Sequence, residues 1–115
     1  RPGLWLARSK EAVQALPPPF RKWDVIVAPE PERDLFPDYT NNQIALASKF
    51  IDLNVLSLDE RTVVANSLYP ELIRALELQG ITVLPVRHRH RRLMGGGFHC
   101  FTIDVRRQGE RESYV

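Results

Sequence analysis

Apolar and polar positions along the chain fall into short blocks that read as strands and helices in turn. Gly3 to Ala7 carries Leu4, Trp5 and Leu6 and predicts a short apolar strand. Lys10 to Leu16 predicts a brief helix, stopped by Pro17-Pro18-Pro19, because proline lacks a backbone donor and clashes with the preceding turn. Trp23 to Ala28 is rich in β-branched residues and predicts a second strand. From Pro29 to Ala45 prolines, acids and Asn41-Asn42 stand without periodicity, which predicts a long loop of the kind that often binds or covers a ligand.

The second half repeats the theme. Ile51 to Leu58 predicts a strand, Asp59-Glu60-Arg61 a turn and Thr62 to Ala65 its hairpin partner. Between Tyr69 and Gln79, Leu72, Ile73, Leu76 and Leu78 recur at helical spacing, with Pro70 in the first turn and Gly80 as the stop. Ile81 to Val86 and Phe98 to Val105 predict the remaining strands. Strand, strand, helix, strand makes a ββαβ unit over residues 51–115, and residues 1–50 read as the end of an earlier module with its connecting loop. The fold class is α/β (α+β).

Composition narrows the picture. The chain has 115 residues, 43% of them apolar, and a net charge of +2, as expected of one small globular unit. No run approaches the roughly eighteen apolar residues of a membrane helix, and the amino end lacks the order of a signal peptide. A single cysteine forms no internal disulfide, which suits a reducing, cytoplasmic compartment. The chain starts at Arg1 rather than methionine, so we expect its true beginning to be missing.

That cysteine is also the strongest chemical signal. In Met94-Gly95-Gly96-Gly97-Phe98-His99-Cys100-Phe101, three glycines and a histidine stand directly before the thiol. Glycine turns sharply and lets a ligand approach the main chain, and backbone N–H groups or nearby cations favour thiolate, the nucleophilic form. His99 and Arg92 are close in sequence. The competing reading is that Cys100 is a small buried hydrophobe.

Gly95 to Thr102, then Asp104-Val105-Arg106-Arg107, Gly109 and Glu112-Ser113-Tyr114, resembles the carboxyl end of the glycine amidinotransferase family. The likeness continues upstream in Asn54 to Glu60, in Gly80-Ile81-Thr82 and more faintly in Arg1 to Leu4. It implies the carboxyl-terminal part of a pentein α/β propeller, a ring of ββαβ modules around a central active-site channel. It also implies an enzyme in which Cys100 attacks the guanidinium of L-arginine, releases ornithine and passes the amidino group to an amine such as glycine. No cofactor or metal is expected. The expected partners are small-molecule substrates, not nucleic acid or membrane, with a homodimer left open.

In the family the general base lies in a His-x-Asp motif just before the strand that begins at Pro2-Gly3, so base and guanidinium-binding carboxylates are expected outside this chain, which alone should be inactive. His99 is set aside as base because neighbours on a strand point to opposite faces. Asp104 would share the cysteine's face and is more simply an ion-pair partner of Arg106 or Arg107. Ala47-Ser48 matches a pair of small hydroxyl residues that contact the substrate amino acid in the family's animal members; only Ser48 keeps the hydroxyl, and an ordinary loop or cap serine remains the alternative. The family arginine that holds the substrate carboxylate aligns near Glu11, and Arg8 stands a few residues away.

The run Arg87 to Arg92 reads either as a phosphate-binding patch or as a solvated loop, and the small net charge favours the loop. His88 and His90 lack a nearby third ligand for zinc. Two alternatives to transfer remain: guanidine hydrolysis, as in arginine deiminase or dimethylarginine hydrolase, and a basic nucleic-acid-binding module without catalysis.

Overall fold

The computed structural model describes residues 3–31, 47–89, 95–106 and 108–109. The first part pairs β1 (Leu4–Ala7) in parallel with β2 (Asp24–Val27), Leu4 opposite Asp24. Parallel strands need a crossover, and α1 (Lys10–Gln14) followed by a 3-10 turn over Pro18–Lys22 supplies it. Ser9 caps α1 by accepting from the Ala12 N–H at 3.3 Å. Trp5, Phe20 and Trp23 pack together, with ring centroids 5.1 to 6.3 Å apart, and fasten this crossover to β1.

The second part is a three-stranded sheet of β3 (Leu56–Ser57), β4 (Thr62–Asn66) and β5 (Thr82–Val86). β3 and β4 form the expected hairpin, whose turn is held by the Asp59 carboxylate accepting from the N–H groups of Arg61 at 2.7 Å and Thr62 at 2.8 Å. β4 and β5 run parallel, joined by α2 (Pro70–Glu77). Leu72 and Leu76 lie one turn apart on the buried stripe of α2 and pack with Val63, Ala65 and Val83 of the sheet. Ile26 of β2 joins the same core, which unites the two parts.

The end of α2 shows how tightly sequence sets geometry here. Gly80 takes φ +72°, its N–H donates to Glu77 O at 2.9 Å, and the Ile81 N–H reaches back to Leu76 O at 3.2 Å. This is a Schellman closure, and the apolar contact that goes with it is Ile81 with Leu76.

Two expected strands fold differently. Ile51–Leu53 is a 3-10 turn, leaving only Leu56–Ser57 of the expected Ile51 to Leu58 strand paired. Both Ile51 and Asp52 are buried, which consecutive residues of a strand with one covered face cannot be; a turn brings both inward. The expected strand from Phe98 to Val105 is absent: His99–Phe101 is a 3-10 turn, and residues 102–106 are irregular. Ile103 and Val105 are 86% and 94% exposed, and no strand among the described residues pairs with this segment. A period-2 pattern alone does not make a strand without a neighbour to take its N–H and C=O groups. Most of the expected Pro29 to Ala45 loop lies outside the described residues.

Candidate active site

The glycine run earns its composition by packing. Gly95 has φ +64°, a conformation side chains with a Cβ adopt rarely. Gly96 and Gly97 are both buried. A Cβ on Gly96 would come within 2.9 Å of a Phe101 ring carbon and 3.1 Å of Cys100 Cβ. On Gly97 it would lie 2.4 Å from Asn54 Cβ, 2.8 Å from Ile51 O and 2.9 Å from Asn54 O. The chain therefore passes flush against the turn Ile51–Asn54 before it reaches the cysteine.

From there the 3-10 turn of His99–Phe101 is fixed by short-range bonds. The His99 N–H donates to Asn54 O at 3.3 Å, and the Cys100 N–H to Gly97 O at 3.1 Å. Thr102 closes the turn: its N–H and its hydroxyl both donate to His99 O, at 3.1 and 3.0 Å. Cys100 is exposed, so it is not the small buried hydrophobe of the competing reading. Its accessibility is what a nucleophile requires.

This geometry corrects the argument about faces. Successive residues of a 3-10 turn are about 120° apart rather than on opposite faces, so strand alternation does not separate His99 from Cys100. Nor does it set Asp104 on the cysteine's face; Asp104 is an exposed residue of the irregular run. The glycines act on the cysteine chiefly by letting the backbone lie against the turn Ile51–Asn54.

The basic run is not uniform either. Arg87 and Arg89 are exposed, but His88 is half-buried, its ring centroid 4.9 Å from that of Phe98 and 5.0 Å from that of Phe101. His88 thus supports the aromatic residues on both sides of His99-Cys100, a packing role that reading the run as a loop missed. Residues 90–92, with His90 and the last arginines of the run, lie outside the described residues.

Ser48 is exposed beside half-buried Ala47. The Ser48 hydroxyl oxygen accepts from the Phe50 N–H at 3.2 Å, and Ser48 O accepts from the Ile51 N–H at 3.0 Å. Ser48 therefore opens the very turn against which the glycines pack. Sequence spacing gave no sign that Ser48 and Cys100, 52 positions apart in the chain, share a support. Next to Ser48, Phe50 carries two cations on its ring: Arg8 with its guanidinium 4.9 Å from the centroid and Lys49 with its ammonium at 5.1 Å. Lys49 also pairs with the carboxylate of Glu30, three residues beyond β2. Arg8 thus stands by the Ser48 turn, whereas Glu11 lies exposed in α1.

A buried polar pair lies beneath the site. Asn66, at the end of β4 and fully buried, donates through Nδ2 to Asp52 Oδ1 at 2.8 Å, while its Oδ1 accepts from the Leu68 N–H at 3.2 Å. Nearby Tyr69, also buried, donates its hydroxyl to Pro29 O. Burial, and then the charges of Glu30, Glu71 and Asp52, push the Tyr69 hydroxyl up to about 12.

No family profile matches the chain. Individual proteins do. It is 40% identical over 105 residues to the L-arginine:L-lysine amidinotransferase of Pseudomonas savastanoi pv. phaseolicola, covering 91% of this chain and 28% of that protein. It is 39% identical over 97 residues to the mitochondrial glycine amidinotransferase of Xenopus laevis, covering 83% and 22%. Over 115 residues it is 36% identical to inosamine-phosphate amidinotransferase 1 of Streptomyces glaucescens, covering 99% and 32%. Among solved structures, an inosamine-phosphate amidinotransferase of Streptomyces griseus superposes with a TM-score of 0.80 at 34% identity, over 99% of this chain and 32% of that one. An amidinotransferase of the saxitoxin pathway of Microseira wollei gives a TM-score of 0.82 at 36% identity, over 99% and 31%. The chain spans less than a third of the length of these relatives, and within that span sequence and fold agree with the expected part of a pentein propeller. By sequence and by fold, this chain belongs to the amidinotransferase family.

Proposed function

We propose that the chain supplies the nucleophile of an amidinotransferase whose remaining modules lie outside residues 1–115, the whole being called here the parent enzyme. The observation that carries this reading is the exposed cysteine, Cys100, held at the end of a glycine segment that is pressed onto the turn Ile51–Asn54. As thiolate, its sulfur attacks the central guanidino carbon of L-arginine. A carbon–sulfur bond forms, the bond to the δ-nitrogen breaks, and ornithine leaves with a proton on that nitrogen. The amidino group stays on sulfur until an acceptor amine attacks the same carbon and the thiolate departs.

Ser48 and Ala47 border the substrate in this proposal. The Ser48 oxygen accepts from the Phe50 N–H and its hydroxyl keeps one donor, which in this proposal goes to a substrate group such as a carboxylate. Arg8, beside the same turn, offers a planar fork of donors for the same kind of group. The relatives act, by their names, with lysine, glycine or an inosamine phosphate, and the acceptor here is an amine of that range. The general base and the carboxylates that grip the guanidinium belong to the rest of the parent enzyme.

The test follows label from guanidino-labelled arginine in the parent enzyme. Transfer to glycine, lysine or an inosamine phosphate, lost on Cys100→Ser, supports the proposal. Release of citrulline without transfer assigns the protein to guanidine hydrolysis instead.

A further inference from the structure

We propose that Asp52 and Asn66 are a positioning pair that holds the two arms of the site, the Ser48 arm and the Cys100 arm, on one platform. The inference rests on the function proposed above and deepens it. The platform is the turn Ile51–Asn54. At its beginning, the Ile51 N–H donates to Ser48 O. At its end, Asn54 O accepts from the His99 N–H, one residue before the nucleophile, and Gly97 lies against Ile51 O and Asn54. The Asn54 side chain closes the turn on itself through Nδ2 to Ile51 O at 3.2 Å.

What fixes this turn to the body of the protein is its centre. Asp52 is 6% exposed and Asn66 is wholly buried, and they meet in a hydrogen bond between the turn and the last residue of β4. A carboxylate is an expensive group to bury, and apolar packing alone would have held Ile51–Leu53 on the sheet. A directional, charge-assisted bond does what apolar contact does not: it fixes the rotation and height of the turn above β4. Every displacement of the turn is handed on to Ser48 at one end and to His99-Cys100 at the other. Neither Asp52 nor Asn66 touches substrate in this account; they act through the backbone of the turn.

The experiment uses the parent enzyme with the variants Asp52→Ala, Asp52→Asn and Cys100→Ser, measuring kcat and KM for arginine with thermal melting on each. Asparagine at 52 keeps an acceptor oxygen for Asn66, so it should retain kcat and KM near wild type, with any cost confined to stability. Alanine should lower kcat by about ten- to a hundredfold, the order expected for a displacement near 1 Å at a reacting group. A purely structural role would lower the melting temperature of both variants and leave kcat of the folded enzyme unchanged, and that result overturns the inference. If Asp52→Ala does not fold, the double variant Asp52→Ala/Asn66→Ala removes the same bond and leaves neither partner buried without the other, and its kcat is read by the same criteria. A Cys100→Ser enzyme that still transfers amidino groups overturns the underlying function. A dead Cys100→Ser beside a fully active Asp52→Ala overturns only the positioning pair.

Discussion

Replacing Gly97 by alanine in the parent enzyme puts a methyl carbon 2.4 Å from Asn54 Cβ, 2.8 Å from Ile51 O and 2.9 Å from Asn54 O. Carbon atoms settle at about 3.5–4.0 Å, so the strand of glycines and the turn Ile51–Asn54 must separate by about 1 Å. None of the three opposing atoms is the end of a side chain that can swing aside; two are backbone oxygens and one is a Cβ. Overpacking of this kind costs about 1–3 kcal/mol, and a shift near 1 Å at a reacting group costs on the order of a hundredfold in rate. The separation also breaks the His99 N–H bond to Asn54 O, which ties the cysteine's turn to Ile51–Asn54. The assay is steady-state amidino transfer with thermal melting, and Gly109→Ala, where a new Cβ meets nothing within 4 Å, is the control. A Gly97→Ala enzyme with wild-type kcat would refute the claim that close packing on this turn positions the nucleophile.

Two pH predictions come from groups away from the thiol. The folded protein holds the Tyr69 proton to about 12, above its ordinary value, so this contribution to stability is complete below pH ~10 and is lost as pH rises toward 12; Tyr69→Phe removes that alkaline dependence and costs about 1–3 kcal/mol through the Pro29 carbonyl left without its donor, both read by denaturant unfolding across alkaline pH. The Asp59 carboxyl is held below the usual carboxylate range by the backbone N–H of Arg61 and then by Thr62, so its support of the β3–β4 hairpin is present above that range and disappears as pH falls through the lowered value; acid unfolding of Asp59→Ala should show a shallower loss over the same interval.

Much of this architecture was legible because local chemistry and burial agree. Pro70, the Leu72–Leu76 spacing and Gly80 marked α2 and its closure, and Asp59 marked a hairpin that its carboxylate does in fact tie. Cys100 stood out by its setting, and its exposure fits that signal. What escaped was decided by contacts between distant segments. Ile51-Asp52-Leu53 has the composition of a strand, but Asp52 is buried and bonded to Asn66 of β4, a contact 14 positions away in the chain; an acid inside an apolar run was the one available hint. Phe101, Ile103 and Val105 keep the alternation of a strand but have no strand paired with them among the described residues. His88 looked like one more member of a basic run until Phe98 and Phe101 closed on it.

The central claim, that Cys100 carries the amidino group, has a direct measurement. The parent enzyme is mixed with L-arginine without acceptor, quenched in acid and digested, and the peptide containing Cys100 is weighed by mass spectrometry. Cys100 should gain one amidino group, released by adding the acceptor amine and absent from Cys100→Ser. Turnover in which that peptide never gains mass, or transfer that survives Cys100→Ser, would contradict it.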